Sequence, residues 1–301
     1  MRFVVTGAAG FIGSHLSDAL VARGDEVVAV DCLTDYYDPA EKEENARGLD
    51  LVRLDLAEGD LALDGVHGVF HLAGQPGVRS FGDAFPLYLR RNVLATQRVL
   101  ESASRSGVRV VLASSSSVYG NAERYPTPET ATPEPISPYG ITKLACEQLV
   151  RAYDVDAVTL RYFTVYGPRQ RPDMFFRRVC DALRDGSPFE IYGSGEQSRS
   201  FTEVGDAVAA TIAAMDGAPT GALYNVGGGD EASMLEAIVL LEEIADRSLD
   251  IRHVDRARGD VARTKADVSR IRDALGWEPS VPLADGLTRM WSWASARVAA
   301  R

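Results

Sequence analysis

The amino-acid sequence predicts an α/β fold with a doubly wound parallel sheet, followed by a smaller mixed α/β lobe. Short β-branched and aromatic runs alternate with helical patterns through the first half of the chain, as expected for parallel strands joined by helices. These runs end in glycine, serine or acidic residues, at the strand ends where such sheets bind ligands. A turn-rich passage from Phe163 to Asp173 marks the predicted boundary between residues 1–165 and 166–301. Parts of 190–226 and 250–260 are expected to pack back onto the first domain.

Length, charge and cysteine content limit the partners, location and metal content that this protein is expected to have. A chain of 301 residues can bury a substantial core. Its formal net charge of −11 argues against a nucleic acid or an anionic membrane surface as partner. The sequence has no N-terminal signal pattern and no apolar run near ~20 residues. Three cysteines without C-x-x-C spacing indicate reduced thiols and a cytoplasmic location. No metal is expected, because histidines, cysteines and carboxylates do not cluster at metal-ligand spacing.

The first strand leads into a glycine-rich turn. Arg2 to Thr6 is a short β-branched and aromatic run, and a helical pattern follows the turn. Missing side chains let the backbone approach a pyrophosphate, and a helix N-terminus offers free N–H groups. The glycine spacing is G-x-x-G-x-x-G, which also suits a tight turn with close helix packing. The candidate phosphate-binding residues are Gly7, Gly10, Phe11, Ile12 and Gly13.

The second predicted strand runs from Glu26 to Val30 and ends at Asp31. An acidic side chain at this place accepts hydrogen bonds from adenosine ribose hydroxyls and repels a 2′-phosphate, which predicts NAD over NADP. Further strands are predicted at 51–54, 68–72, 108–113 and 157–162, with a helix at 88–104. The second lobe is predicted to contain helices at 174–184, 206–215, 234–245 and 283–297, and strands at 189–192, 223–226 and 251–254.

A tyrosine and a lysine are the strongest candidates for chemistry. Pro138 suits the start of a helix, on which Tyr139 and Lys143 lie one turn apart on the same face. A free tyrosine has a pKa near ~10, and a cation one turn away favours the phenolate. The pair therefore predicts a tyrosine that accepts and returns a hydroxyl proton. The alternative is an ordinary amphipathic helix with a solvated lysine.

Hydroxyl and arginine residues add further candidates. Ser114 to Ser117 follow the strand at 108–113 and offer hydroxyls on a rigid mount, although four serines also suit a polar loop. The chain after the predicted boundary is rich in loop arginines, which either are solvated or converge on a diphosphate. These arginines are Arg171, Arg199, Arg256 and Arg258.

A series of segments extends over essentially the whole chain: Thr6–Gly13, His71–Gly74, Asn92–Val93, Ser115 with Tyr119, Tyr139 with Lys143, Ile191–Gly195, Arg199 and Arg258–Asp260. Together they resemble the extended short-chain dehydrogenase/reductase family, in the branch that modifies sugar nucleotides. The resemblance implies a Rossmann-type domain, a substrate-binding lobe, NAD as cofactor and a UDP-sugar, rather than a dTDP-sugar, as substrate. It also implies a homodimer joined through the helices near 88–104 and 139–153.

The resemblance assigns roles to particular residues. Tyr139 takes the proton of a sugar hydroxyl, Ser115 and Ser117 hold that oxygen, and Lys143 binds the nicotinamide ribose. The implied cofactor site consists of Gly7, Gly10, Phe11, Ile12, Gly13, Asp31, Asp55, Leu56, Leu72, Ala73, Gly74, Asn92, Ser114, Tyr139, Lys143 and Tyr162. The implied substrate site consists of Arg79, Ser115, Ser116, Tyr139, Thr164, Arg171, Ile191, Tyr192, Arg199, Arg258 and Asp260.

The type of reaction depends on the residues after Ser115. The family's 4,6-dehydratases carry Asp-Glu where this chain has Ser116 and Ser117, and its UDP-glucuronate decarboxylases carry a glutamate at the position of Ser117. Epimerization at C4 through a 4-keto intermediate needs neither acidic residue and is the prediction. A regulatory protein that binds NAD on the same fold is the non-enzymatic alternative, although such relatives usually lose the tyrosine or the lysine.

Three segments resemble the UDP-glucuronate 4-epimerase group of that family: Asp35–Asp38, Thr164–Pro168 and Arg171–Met174. The C6 carboxylate of a uronic acid needs a charge partner, and an arginine fork fits carboxylate geometry. Arg171, with Thr164 and Ser116, is the predicted clamp. If Arg171 instead lies in solvent, a neutral hexose such as UDP-glucose is the better substrate.

Overall fold

A computed structural model describes residues 1–78, 80–255, 259 and 261–297. The strands in these ranges are β1 (Arg2–Thr6), β2 (Glu26–Asp31), β3 (Asp50–Arg53), β4 (Gly68–His71), β5 (Arg109–Ser115), β6 (Ala157–Tyr162), β7 (Thr164–Tyr166), β8 (Phe189–Tyr192), β9 (Ser198–Glu203), β10 (Leu223–Val226), β11 (Glu231–Ser233), β12 (Ile251–Val254) and β13 (Arg263–Thr264).

The α-helices are α1 (Phe11–Ala22), α2 (Pro39–Asn45), α3 (Phe85–Tyr88), α4 (Ala95–Ser106), α5 (Pro138–Ala152), α6 (Phe175–Asp185), α7 (Val204–Gly217), α8 (Met234–Ala245), α9 (Ser269–Leu275) and α10 (Leu283–Ser295). A π-helical turn at Leu89–Leu94 joins α3 to α4. Short 3₁₀ turns occur at Gly82–Ala84 and Ser116–Tyr119. Within the described ranges, no helix combines the length and the apolar character that crossing a bilayer requires.

The main sheet has seven parallel strands in the order β10-β6-β5-β4-β1-β2-β3. This confirms the predicted doubly wound α/β fold. One face packs on α1 and α7 through apolar residues such as Leu16, Leu20 and Ala214. The other face packs on α4 and α5 through residues such as Val99 and Cys146. Because all the strands are parallel, their carboxyl ends lie along one edge, where ligands bind.

Smaller sheets form beside the main one. Strand β9 pairs in parallel with β7 and β13 and antiparallel with β11, while β8 pairs in parallel with β12. A separate apolar cluster joins these strands to α6, α8 and α10, with Phe176, Phe201 and Leu287 fully buried in it. The chain returns to the main sheet at β10. The division at residue 165 stays a prediction.

Most predicted elements occur within a few residues of their expected bounds, and β6 and α8 match them. The predicted helix at 88–104 contains the π-helical turn instead of a continuous α-helix. Strand β9, with the sequence SRSFTE, was not predicted because it has no apolar run, although five of its six residues are buried. Helix α2 was also not predicted, and it depends on Asp38, whose side chain accepts a hydrogen bond from the Ala40 amide.

Candidate active site

A cleft of about 920 Å³ lies at the carboxyl ends of the main sheet. It brings together glycines from the first turn, serines from the end of β5, the tyrosine and lysine of α5, and residues of the smaller sheets. The predicted site residues that line it are Gly7, Gly10, Phe11, Ile12, Gly13, Asp31, Asp55, Leu56, Leu72, Ala73, Gly74, Ser114, Ser115, Ser116, Ser117, Tyr139, Lys143, Tyr162, Thr164, Arg171, Ile191, Tyr192 and Arg199.

The glycine turn is too tight for side chains. Gly7 has φ +71°, and a Cβ on it would lie 2.8 Å from the Ala73 amide nitrogen. A Cβ on Gly13 would lie 2.1 Å from the Gly7 carbonyl oxygen. Gly10 is the N-cap of α1 and offers no capping side chain, so the first amides of the helix remain available to a ligand. This open helix end, bare of side chains, fits the pyrophosphate of a dinucleotide.

Asp31 ends β2 with its carboxylate fixed in place. Its Oδ2 accepts a hydrogen bond from the Ala9 amide at 3.2 Å, and its Oδ1 accepts one from the Leu33 amide at 2.8 Å. Lys42, which sequence reasoning missed, also lines this end of the cleft and donates to the Thr34 hydroxyl at 2.8 Å. Burial lowers the pKa of Lys42. The chain has only three lysines, so their scarcity was the signal that could have identified Lys42 alongside Lys143.

Helix α5 carries the candidate catalytic pair. Ser137 caps the helix by accepting a hydrogen bond from the Gly140 amide at 3.1 Å, and Pro138 occupies its first turn. Lys143 is buried and donates to the Ala113 carbonyl at 2.8 Å. Its Nζ lies 5.9 Å from the centre of the Tyr139 ring. The predicted helical pairing therefore holds, and both residues line the cleft.

The serines at the end of β5 face two different partners. Ser115 Oγ accepts a hydrogen bond from the Ser117 amide at 3.1 Å and donates to Ser117 Oγ at 3.2 Å. Ser114 instead donates to Glu147 Oε1 at 2.5 Å, and Glu147 forms a fully buried ion pair with Arg161. Sequence reasoning missed Glu147, which stands one turn beyond Lys143 on α5. Together, the contacts of Lys143 and Glu147 fix α5 against the end of β5.

Asn92 is not among the residues that line the cleft, and its role in binding the cofactor stays a prediction. Its Oδ1 accepts a hydrogen bond from the Gln75 amide at 2.6 Å. Its Nδ2 donates to the Gln75 carbonyl at 3.2 Å and to the Thr142 hydroxyl at 3.0 Å. The amide is 1% exposed, so Asn92 ties the segment after Gly74 to α5. The π-helical turn, which the sequence did not predict, carries this residue.

We call the part of the cleft that contains Arg171 and the segment before α6 the sugar end, after the substrate predicted from the sequence. Arg171 pairs with Asp173 through Nε at 2.9 Å and Nη2 at 3.1 Å. Tyr36, from the loop after β2, donates to Asp173 Oδ2 at 3.2 Å. Burial opposes the charge of Arg171, but Asp173 raises its pKa above the ordinary value. Arg171 therefore stays positively charged in the cleft that also contains the candidate pair Tyr139 and Lys143.

The far end of the cleft combines aromatic rings and arginines. Arg199 is buried and donates to the Val261 carbonyl at 2.7 Å. Arg178, which was not predicted, lies 5.1 Å from the Phe189 ring and 5.8 Å from the Tyr192 ring. No local motif marks Arg178, because the strand that contacts it comes later in the chain. The predicted substrate residues Arg79, Arg258 and Asp260, and the loop residue Arg256, lie outside the described residues.

The chain is similar to known proteins over nearly its full length. The family model described as NAD dependent epimerase/dehydratase family matches residues 3–227. The chain is 39% identical to an uncharacterized UDP-glucose epimerase of Bacillus subtilis, over 98% of each chain. It is 32% identical to a UDP-glucuronate 4-epimerase of Thermodesulfobacterium geofontis, over 98% of this chain and 97% of that protein.

A solved structure agrees with these relatives. The UDP-glucuronic acid 4-epimerase from Bacillus cereus, in complex with UDP-glucuronic acid and NAD, superimposes with a TM-score of 0.94 at 37% identity, covering 98% of this chain and 99% of that one. The expected family resemblance and the expected cofactor, NAD, are thereby confirmed. The sequence match, the shared architecture and the glycine turn lead to the same conclusion. This chain belongs to the NAD-dependent epimerase/dehydratase family.

Proposed function

We propose that the protein is a 4-epimerase that interconverts UDP-glucuronate and UDP-galacturonate, with NAD as cofactor. The observation that carries this choice is Arg171, whose side chain is only 20% exposed and lines the same cleft as Tyr139. An arginine fork matches the geometry of the C6 carboxylate of a uronic acid. Thr164 and Ser116 line the cleft as well and offer hydroxyl donors to the same group.

The proton chemistry rests on α5 and the end of β5. Tyr139 takes the proton of the sugar C4 hydroxyl, while Ser115 and Ser117, which hydrogen-bond each other, hold that oxygen. Lys143 uses one N–H group on the Ala113 carbonyl and has the others for Tyr139 and the cofactor ribose. NAD, when bound, supplies the hydride acceptor at C4 and the hydride donor to the opposite face of the turned keto sugar. Tyr139 then returns the proton to the oxygen.

The acidic residues of the cleft support epimerization over elimination or decarboxylation. Among the described residues that line it, the carboxylates are Asp31, Asp55, Asp173 and Glu190. Asp31 and Asp55 belong to the cofactor end, where Asp55 pairs with Arg90 at 2.8 Å. Asp173 is held by Arg171, and Glu190 is an exposed residue of β8. Tyr139 therefore remains the group suited to proton transfer beside the serines.

A UDP-glucose/UDP-galactose 4-epimerase is the second candidate, and one observation favours it. Arg171 already has a charge partner in Asp173, so the cleft can accept a sugar with a neutral hydroxymethyl group at C6. The relative from Bacillus subtilis is likewise a UDP-glucose epimerase by name. The two candidates differ in whether Arg171 contributes to substrate recognition, and this difference can be measured.

The deciding experiment incubates the enzyme with a panel of UDP- and dTDP-sugars and resolves the products by NMR. We expect UDP-glucuronate and UDP-galacturonate to interconvert. Arg171→Ala should reduce kcat/KM for the acid sugars by about 10²-fold, the scale for a lost charge-assisted contact to a buried group. Arg169→Asn is the matched control, because Arg169 is on the same loop but pairs with Asp18. Asparagine tolerates its positive φ of 61°.

Other outcomes would contradict the proposal. Turnover of UDP-glucose without turnover of UDP-glucuronate would favour the second candidate. UDP-xylose as main product would indicate decarboxylation. Bound NAD without turnover of any nucleotide sugar would instead support a regulatory role.

We further infer a homodimer in the cytoplasm. Four large apolar side chains are exposed on α3, α5 and the π-helical turn between α3 and α4: Phe85, Leu89, Leu94 and Ile141. Exposed apolar residues grouped in this way are typical of protein–protein interfaces. The three cysteines are free thiols, which fits a reducing compartment. Light scattering should give twice the chain mass, and Leu94→Glu combined with Ile141→Glu should give a monomer. A monomeric wild-type protein would contradict the inference.

A further inference from the structure

We propose that Asp173 is a positioning residue that aims the Arg171 guanidinium at the sugar carboxylate, and that Tyr36 fixes Asp173 from the cofactor side of the cleft. This inference rests on the proposed function, and it goes further by identifying what holds the clamp. Neither Asp173 nor Tyr36 has a role in the proton chemistry. Both line the cleft next to Arg171.

The pairing of Arg171 with Asp173 uses one edge of the guanidinium. Nε and Nη2 each contact one oxygen of the carboxylate, at 2.9 and 3.1 Å. This side-on arrangement does not involve Nη1 and leaves one N–H of Nη2, so a second carboxylate can bind the other edge. Asp173 therefore need not compete with a substrate carboxylate. It restricts the rotation of a long side chain before the substrate arrives, and a pre-ordered side chain loses less entropy on binding.

Tyr36 fixes the second oxygen of Asp173 from across the cleft. Its hydroxyl donates to Oδ2 at 3.2 Å. Burial, and next to it the charge of Asp173, raises the pKa of Tyr36 to about 12, so the hydroxyl remains a donor throughout the physiological pH range. Tyr36 lies on the loop that follows Asp31, whereas Asp173 precedes α6. The hydrogen bond thus connects the cofactor side to the sugar side.

The surroundings of Tyr36 lead to the catalytic tyrosine. A Cβ built on Gly77 would lie 3.0 Å from the Tyr36 hydroxyl and 3.1 Å from the Tyr88 hydroxyl. The Tyr88 ring in turn packs edge-on against the Tyr139 ring, with 6.3 Å between ring centres. Arg171, Asp173 and Tyr36 are thus joined by hydrogen bonds, and the Tyr36 hydroxyl lies beside Gly77, whose carbonyl accepts a hydrogen bond from Tyr88. The clamp and the Tyr88–Tyr139 ring pair therefore lie on either side of Gly77.

The orientation of the Arg171 guanidinium should affect which product forms, as well as the affinity for the substrate. A 4-keto uronic acid is a β-keto acid. When it decarboxylates, the C5–C6 bond breaks, carbon dioxide leaves, and the electron pair forms an enolate that then takes a proton. The C5–C6 bond breaks most readily when it is parallel to the π orbitals of the C4 keto group. A clamp that holds the carboxylate in one orientation keeps this bond out of alignment, whereas a loosely held arginine does not.

The test compares Asp173→Asn, Asp173→Glu and Tyr36→Phe with wild type, using UDP-glucuronate as the substrate. Asp18→Asn is the matched control, because Asp18 also pairs with an arginine of this loop, Arg169, but does not line the cleft. Initial rates give kcat and KM, and NMR gives the ratio of epimer to decarboxylated product. Circular dichroism melting verifies that each variant is folded.

Asp173→Asn should raise KM for UDP-glucuronate about tenfold, the scale of one lost charge-assisted contact, and should increase the decarboxylated fraction several-fold. Tyr36→Phe should shift both quantities in the same direction by a smaller factor. Asp173→Glu keeps the charge and should recover much of the epimer-to-decarboxylated ratio. A merely structural role would lower kcat and the melting temperature without changing that ratio.

The outcomes separate the two proposals. If wild type epimerizes UDP-glucuronate but Asp173→Asn matches Asp18→Asn in KM and product ratio, the inference is wrong and the proposed function stands. If wild type neither binds nor converts UDP-glucuronate, the proposed function fails, and the positioning role fails with it. A variant that loses activity but keeps both its KM and its product ratio also contradicts the inference.

Discussion

The two ends of the cleft differ in which atoms of the chain form them: main-chain atoms in the glycine turn at one end, and long side chains at the other. The glycine turn at the cofactor end consists of backbone, since Gly7 and Gly13 approach neighbouring main-chain atoms so closely that neither has space for a Cβ. The sugar end consists of long side chains from separate segments, such as Arg171, Arg178 and Arg199. A backbone site admits almost no substitution and binds one class of ligand. A side-chain site can change its specificity by small substitutions, which fits a family in which one cofactor serves several reactions.

The largest expected effect is at the point where the two ends meet. Tyr139→Phe removes the proton acceptor but keeps the ring that packs on Tyr88. We expect kcat to fall by about 10²–10⁴-fold, the range for losing a general acid–base group, with dinucleotide content and KM little changed. Turnover assays and extraction of the bound dinucleotide measure both effects. Tyr153→Phe is the control, because its hydroxyl contacts Glu101 at 3.2 Å outside the cleft. Wild-type activity in Tyr139→Phe would overturn the assignment.

The second-largest effect is expected from Gly13→Ala, a substitution that tests whether the glycine turn tolerates a side chain. In Gly13→Ala the new Cβ would lie 2.1 Å from the Gly7 carbonyl oxygen, so α1 must move away from the turn. Overpacking of this kind costs about 1–3 kcal/mol, and we expect a lower melting temperature and loss of co-purified dinucleotide. Thermal melting and mass spectrometry of the extract measure these results.

Gly217→Ala is the matched control for this substitution. Its Cβ would meet only the Leu275 side chain, at an ordinary 3.7 Å, so dinucleotide content should stay at the wild-type level. Equal dinucleotide content in Gly13→Ala and Gly217→Ala would show that the close approach at Gly13 is not needed for binding.

The same contrast explains what the sequence could predict. The glycine turn, Asp31 and the Tyr139/Lys143 pair are local patterns, because strand order and helix periodicity alone place them at one edge of a sheet. Asn92 shows what such patterns leave out. Its position in a motif predicts a role in cofactor binding but not its contacts with Gln75 and Thr142, which depend on a π-helical turn. Periodicity of 3.6 residues does not predict that turn.

Some residues have roles that depend on partners distant in the sequence, and no local sequence pattern identifies those roles. Ser114 looked like its serine neighbours, yet its hydroxyl is bound to Glu147, which is itself paired with Arg161 of β6. The Arg178 guanidinium packs against the rings of Phe189 and Tyr192, which belong to a later strand. Such roles follow from tertiary packing, which one sequence without its structure does not give.

The two parts of the molecule should also lose stability in different acid ranges. On β11 of the smaller sheets, the hydrogen bond from Arg263, with help from Lys265, lowers the pKa of Glu231 to about 2. This ion pair stabilises the fold above the unfolded pKa of about 4.3, and its contribution is lost as the pH falls toward about 2. Its side chain is 21% exposed, so solvent screening reduces the effect. Mild acid above pH ~5 therefore leaves this ion pair intact.

The smallest expected effect is the response of His71 to that mild acid. His71 ends β4 in the main sheet, is fully buried, and hydrogen-bonds Thr6 at 2.8 Å and Thr96 at 3.1 Å. Burial, with a smaller contribution from the charge of Lys143, lowers its pKa to about 3. The folded chain keeps His71 neutral, while the unfolded chain binds a proton below a pKa of about 6.5. Stability should therefore fall as the pH drops below about 6.5, by up to about 1.4 kcal/mol per pH unit.

His71→Gln should flatten this slope between pH ~6.5 and ~5 in urea unfolding, whatever its effect on absolute stability. His253→Gln, at an exposed histidine, should keep the wild-type slope. Parallel slopes for wild type and His71→Gln would show that another group controls the acid response of the main sheet.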